Sequence, residues 1–249
     1  MTSTPYLRPL LYLTCLVVLL LTLLSIRIFL LLRSQHSSKL VPPRRPSNAR
    51  ASLAIFLGSG GHTAEMMRLI AHLDWERYST RTWIISSGDT LSESKVLSFE
   101  KDTIGNGSFR IMRIPRARKV HQSYLTSPFT TLYSLLFCLY HITLLPLFLP
   151  SPQDRKFSDL ILLNGPGSCV PIAISAFLPR VFGLSSPKLV YIESLARTRK
   201  LSLSAKIVRP LVDRFFVQWE SLRLELIKNE KGKGKERFQA KVECQGWLV

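Results

Sequence analysis

Hydrophobic and polar positions divide the chain into two unequal parts. Residues 10–32 read LLYLTCLVVLLLTLLSIRIFLLL, an apolar run whose single charge is Arg27. About 20 apolar residues span the hydrocarbon core of a bilayer. The run is therefore predicted to be a transmembrane helix, with the Arg27 side chain reaching toward the headgroups. It exceeds the apolar stretch of a signal peptide, and no small-x-small cleavage site follows it, which favours an uncleaved anchor. Only Arg8 precedes the run, whereas Arg33, Lys39, Arg44, Arg45 and Arg50 follow it. By the positive-inside rule the C-terminal side lies in the cytosol. Residues 1–9 then form a short lumenal terminus. Residues 33–50, with Pro42, Pro43 and Pro46, form a flexible basic linker along an anionic membrane surface.

From residue 51 to 249 the pattern changes to short apolar runs alternating with helix-like segments. Strands are predicted at 53–57, 81–86, 109–114, 160–163, 189–192 and 215–218, with a last one near the C-terminus. A glycine turn and a helix over about 64–73 follow the first of them. This rhythm predicts an α/β fold built on a Rossmann-like, mostly parallel sheet covered on both faces. Residues 129–150 (FTTLYSLLFCLYHITLLPLFLP) are long enough to span a membrane. A span there would separate the strands before it from those after it, so a non-spanning helix touching lipid is expected instead. Residues 228–237 (KNEKGKGKER) read as a solvated surface loop.

Composition narrows the picture. Of 249 residues, about 200 remain beyond the anchor and linker, room for one domain and not two. Thirty-four Lys+Arg against 16 Asp+Glu leave a net charge of +18, which attracts anions of any kind. Nucleic-acid binding accounts for that charge but not for the anchor or the glycine turns, so nucleic acid is not an expected partner. Cys15, Cys138, Cys169 and Cys244 show no metal-ligand spacing and read as reduced thiols in a reducing compartment.

Four segments carry candidate chemistry. Gly58-Ser59-Gly60-Gly61-His62-Thr63-Ala64-Glu65 joins the first strand to the first helix. Glycines let the backbone approach a ligand closely, and free N–H groups at a helix start attract phosphate. His62 beside such a turn can act as general base or phosphate ligand. A plain tight turn capped by Thr63 is the competing explanation. Asn164-Gly165-Pro166-Gly167 is a second such turn, and two at one sheet edge mark where open α/β sheets bind ligands. Glu193, Arg197 and Arg199 follow the next strand, where they can meet a diphosphate or sugar hydroxyls, or simply face water. Arg116, Arg118 and Lys119 form a basic cluster able to meet an acidic headgroup.

Five blocks in order, IFLGSGGHTAEMMRLI, RIPRARKVHQSYLTS, LILLNGPGSCVPI, KLVYIESLARTRKLSLSAKI and DRFFVQW, carry a resemblance. The chain resembles the membrane-anchoring subunits of the eukaryotic UDP-N-acetylglucosamine transferase of asparagine-linked glycosylation, from about residue 53 to 249. The resemblance implies the N-terminal half of a GT-B glycosyltransferase, paired with a soluble catalytic subunit that binds UDP-N-acetylglucosamine. It implies a dolichol-linked diphosphate acceptor, transfer with inversion, and no cofactor or required metal. It implies residence in the endoplasmic reticulum membrane, extending to the nuclear envelope. His62 takes the place of the family's candidate base. Gly58, Ser59, Gly60, Gly61, Thr63, Glu65, Asn164, Gly165, Gly167, Glu193, Arg197 and Arg199 fall at the acceptor site. The tail Trp247, Leu248 and Val249 would hold the partner. The lysine-rich insertion at 228–237 departs from the family and blurs the contacts around 240–244. A pure scaffold and a self-sufficient membrane-surface glycosyltransferase stay open as alternatives.

Overall fold

Each short apolar run read as a strand becomes one, and the strands of the described residues join one sheet. The computed structural model describes residues 7–35, 49–105, 107–118, 122–123, 125–150, 155–231 and 240–246. The strands are β1 (Ser52–Leu57), β2 (Thr80–Ser86), β3 (Ser108–Ile114), β4 (Leu160–Asn164), β5 (Lys188–Ile192), β6 (Arg214–Phe216) and β7 (Val242–Glu243). They are parallel throughout and lie in the order β3-β2-β1-β4-β5-β6-β7. Strand order reverses between β1 and β4, and such a switch point opens a crevice at the carboxyl edge of the sheet.

Period-two alternation explains the two layers of core. Leu53, Ile55 and Leu57 of β1 point to one face, against Met66 and Ile70 of helix α2 (Gly61–Ile70) and Val96 of α3 (Thr90–Phe99). Ala54 and Phe56 point to the other, with Ile172, Ala173 and Ala176 of α6 (Cys169–Val181). Helix α2 starts three residues earlier than the sequence pattern suggests, because Gly60 takes φ 67° and ends the turn there. The sixth strand is shorter than expected: Val217 and Gln218 lie beyond it.

Residues 127–147 form one apolar helical run, α4 (Ser127–Cys138), a π-helical turn (Leu139–Leu144) and the short α5 (Leu145–Leu147). It crosses over between β3 and β4, which belong to the same sheet, and it rests on α6. Ser134, Cys138 and Ile142 are buried beneath it, while Phe129, Leu132, Tyr133, Leu136, Tyr140 and Phe148 stand exposed on its outer face.

Helix α1 (Leu7–Gln35) contains the apolar segment Pro9–Arg33, long and apolar enough to cross a membrane. Its large side chains from Leu10 to Ile26 are exposed, but its last turns are not free. Ile28, Leu31 and Leu32 pack on the core around α6, and Arg27 Nε donates to the Val181 carbonyl at 3.2 Å. The short α7 (Leu203–Val208) and α8 (Glu220–Lys231) complete the domain.

Candidate functional site

The two glycine turns meet at the switch point. Gly58 is packed so tightly that a Cβ there would lie 2.5 Å from Pro166 Cδ. The Thr63 hydroxyl does not cap α2; it donates back to the Gly58 carbonyl and lies 2.6 Å from the Ser92 hydroxyl, which donates to Asp89. The first turn is thereby fastened to the start of α3. Gly165 takes φ 93°, and a side chain on it would collide with the His62 ring. The Gly165 carbonyl accepts hydrogen bonds from Ser204 Oγ at 3.0 Å and Tyr191 Oη at 3.3 Å, tying the second turn to α7.

His62 stands in the first turn of α2. Its Nδ1 is 3.2 Å from Asn164 Oδ1 and 3.8 Å from Glu65 Oε2, and about a third of the side chain (34%) is exposed. Glu65 is directed at the β5 and β6 loops: it accepts from Leu195 N (2.7 Å), Ser194 Oγ (3.0 Å) and Gln218 Nε2 (2.5 Å). Burial alone would raise its carboxyl, but the hydrogen bonds from His62, Leu195, Ser194 and Gln218 outweigh it and hold the group below its usual range. Glu65 is therefore a carboxylate that organises the site. Glu193 is buried too. It accepts from the backbone and hydroxyl of Ser202 and from Ser194 N, which shapes the loop between them; Ser202 in turn caps α7 through Ala205 N. Burial, assisted by the Glu193 charge, drives the nearby Cys169 thiol well up.

A cavity of about 570 Å³ opens here. His62, Gly165, Gly167 and Glu193 form its polar wall, Arg118 and Arg197 bring positive charge, and Val170, Leu203 and Ile207 line an apolar side. Leu203 and Ile207 are themselves exposed to the outside. Such a cavity suits an amphiphile with an anionic head and an apolar tail. A second cavity of about 580 Å³ lies on the other side of His62, bounded by Gly61, Glu65, Arg68, Leu195 and Trp219.

The structure thus gathers His62, Glu65, Asn164, Gly165, Gly167, Glu193 and Arg197, although they come from three separate loops. Ser59 and Gly60 sit at the apex of the first turn, and Arg199 is exposed on the last loop, outside the walls of both cavities. Arg116 donates to the Ser87 carbonyl and Arg118 to the Gln122 carbonyl. Lys119, Trp247, Leu248 and Val249 lie outside the described residues. Sequence reasoning missed Ser194, Ser202, Ser204, Leu203, Ile207 and Gln218. The cluster of serines after β5 was a signal available for three of them, since Ser is a common cap and loop former.

Fold and site together define a Rossmann-like α/β domain with a ligand cavity at its switch point, carried behind an apolar helix. The chain belongs to the family described as Oligosaccharide biosynthesis protein Alg14 like, which matches residues 53–234. It is 45% identical over 197 residues to the UDP-N-acetylglucosamine transferase subunit ALG14 of Candida albicans, covering 79% of this chain and 84% of that one. Its identity to the protein of the same name from Homo sapiens is 39% over 208 residues, 80% and 86% of the two chains. Among solved structures, MurG of Acinetobacter baumannii aligns at 12% identity and TM-score 0.46, and a UDP-N-acetylglucosamine 2-epimerase at 13% and 0.49. These alignments cover 79% and 78% of this chain but 45% of each of those structures.

Proposed function

We propose that this chain is the membrane-anchoring, acceptor-binding subunit of a two-chain N-acetylglucosaminyltransferase of the dolichol pathway. In this reading, a soluble catalytic subunit brings UDP-N-acetylglucosamine. The complex then adds the second sugar to N-acetylglucosaminyl-diphosphodolichol on the cytosolic face of the endoplasmic reticulum. The observation that carries it is one cavity with a glycine-turn and arginine wall on one side and an apolar side on the other, in a chain whose relatives are named transferase subunits. A diphosphate fits the charged wall, and an isoprenoid chain fits the apolar side.

The chemistry follows from His62. Its Nε2 takes the proton of the acceptor hydroxyl as that oxygen attacks the anomeric carbon of the donor sugar; the bond to UDP breaks and the configuration inverts. We place the donor half of such a GT-B enzyme in the partner, over the second cavity, beside the exposed Arg68. The tail Trp247, Leu248 and Val249 is proposed to be buried by that partner, since an apolar terminus gains most when another chain covers it. Helix α1 is the anchor, and the outer face of α4 and α5 rests in the membrane interface.

The test is reconstitution. Detergent-purified chain alone is expected to transfer nothing from UDP-N-acetylglucosamine to the lipid acceptor, and its complex with the co-purifying soluble subunit to be active. Activity of the chain alone would favour the self-sufficient enzyme. A His62→Ala complex with unaltered kinetics would favour the pure scaffold; loss of a general base costs about 10²–10⁴-fold.

A further inference from the structure

His62 has two ring nitrogens, and only one tautomer leaves the correct one open. We propose that Asn164 is a positioning residue that holds His62 as its Nδ1–H tautomer, leaving Nε2 as the lone pair at the cavity wall. The catalytic consequence rests on the reading of His62 as proton acceptor given above; the tautomer itself does not.

Three features of the site carry the inference. First, Nδ1 faces oxygen on two sides: Asn164 Oδ1 at 3.2 Å and Glu65 Oε2 at 3.8 Å. A proton on Nδ1 is attracted by both, whereas a lone pair there would face a carboxylate. The carboxylate cannot turn away, because Leu195 N, Ser194 Oγ and Gln218 Nε2 all donate to it. This also orients the Asn164 amide, whose Oδ1 faces the histidine and whose Nδ2 faces away.

Second, the ring has little freedom. Gly165 packs directly on it, and a Cβ at that position would strike Nδ1, Cγ and Cε1. Asn164 is fully buried at the end of β4, where it pairs with Ile192 of β5, so its side chain departs from a fixed point of the sheet. Nε2 has no hydrogen-bond partner among the described residues, and the ring lines both cavities.

Third, Asn164 is expensive where it stands. Its Nδ2 is buried without a partner among the described residues, a state that costs free energy and that Leu or Val would avoid. Among the described residues, the hydrogen bond to His62 is the one this amide side chain makes, and a hydrocarbon side chain of similar size cannot make it. Asn164 is thus placed for the histidine, in the same way that a buried carboxylate or carbonyl orients the base in other general-base sites.

The experiment uses the full chain in detergent, in complex with its soluble partner, with only this chain carrying ¹⁵N-histidine. Long-range ¹⁵N–¹H spectra separate a protonated ring nitrogen from one with a lone pair. His62 is expected to show a protonated Nδ1 and a lone pair on Nε2. Asn164→Asp retains an acceptor oxygen and should keep that pattern. Asn164→Leu should shift His62 toward Nε2–H and lower kcat about 10–100-fold, less than loss of the base itself, with KM for the lipid acceptor little changed. An Nε2–H signature in the unmodified chain overturns the proposal outright, and needs no variant that folds. So does an Asn164→Leu chain whose His62 tautomer is unchanged. A tautomer lost with kcat intact would leave the positioning standing and remove His62 from the role of base.

Discussion

Gly58 and Pro166 stand against each other with no room for a side chain between them, so the two glycine turns of the site are one packed unit. A Cβ on Gly58 would lie 2.5 Å from Pro166 Cδ and 2.9 Å from the His62 Cβ. Neither atom belongs to a flexible chain end: the ring is closed, and the other is the root of the His62 side chain.

Gly58→Ala is therefore expected to force the turns apart. Overpacking of this kind typically costs about 1–3 kcal/mol, and the displaced His62 should lower turnover beyond what lost stability explains. Gly61→Ala is the control, because nothing lies within 4 Å of the Cβ it would add. Thermal unfolding of the two variants in complex checks the packing, and the kcat of Gly58→Ala checks the displacement of His62. Equal tolerance of alanine at 58 and 61 would contradict the packed unit.

Arg27 belongs to the apolar helix yet spends its side chain on the domain, donating to the Val181 carbonyl at the end of α6. A cation at a helix C-terminus is favourable both as hydrogen bond and against the helix dipole. Arg27→Leu makes α1 more apolar, so membrane insertion should be unimpaired. Amide exchange through the last turn of α6 should quicken, by an amount matching about 0.5–1.5 kcal/mol for one hydrogen bond. Unchanged exchange there would show that the contact does not hold α1 to the domain.

The outer face of α4 and α5 tests its own reading. Phe129 and Phe148 are about four-fifths exposed (75% and 82%), an unusual state for side chains of that size unless something covers them. Each apolar side chain buried in lipid contributes up to about 1.5–3 kcal/mol. A chain lacking residues 1–35 is expected to float with phosphatidylcholine vesicles, and Phe129→Ser with Leu136→Ser to release it. Flotation indifferent to both changes would move the membrane contact elsewhere.

Asp159 fastens the loop before β4 to the start of β1, accepting from the backbone and hydroxyl of Ser52 and pairing with Lys156. Burial would raise its carboxyl, but the Lys156 and Ser52 contacts prevail and bring it from 3.8 to about 2. The stabilisation is complete above pH 4 and is lost as pH falls through about 2. Asp159→Asn should lower stability at pH 7 and flatten the acid limb of the stability curve between those values. An acid limb identical to that of the unmodified chain would remove Asp159 from this role.

Much of the architecture was legible because its signals are local. The run at 10–32, the strands at 53–57 and 160–163, and both glycine turns each rest on a few adjacent residues. Boundaries were less legible: the start of α2 depended on Gly60 adopting a positive φ, and the end of β6 on where β7 runs out. Thr63, assigned to the acceptor site by the resemblance and offered as a cap by the competing explanation, does not cap α2, and its hydroxyl reaches back to Gly58, a partner that local spacing does not reveal. The serines between 194 and 204 passed unnoticed, because nothing adjacent to them shows that Glu193 and the Gly165 carbonyl will be their partners.

The sequence by itself determined the layering of this protein: an apolar helix, then one parallel α/β domain with glycine turns and a histidine at the carboxyl edge of its sheet. Periodicity and turn chemistry are properties of neighbouring residues, so they can be read without the fold. Only the tertiary structure decided which polar groups meet one another. Arg81, the one charge in β2, proves to be sealed against Glu100, which also accepts from Trp83 Nε1. Glu65, read as a ligand contact, is committed to Leu195 and Gln218, 130 and 153 residues away. Asn164, which looked like one more turn residue, is the partner of His62, 102 residues distant. Hydrogen bonds and ion pairs form between groups that meet in space, and burial makes each pairing obligatory; no local spacing encodes which groups will meet.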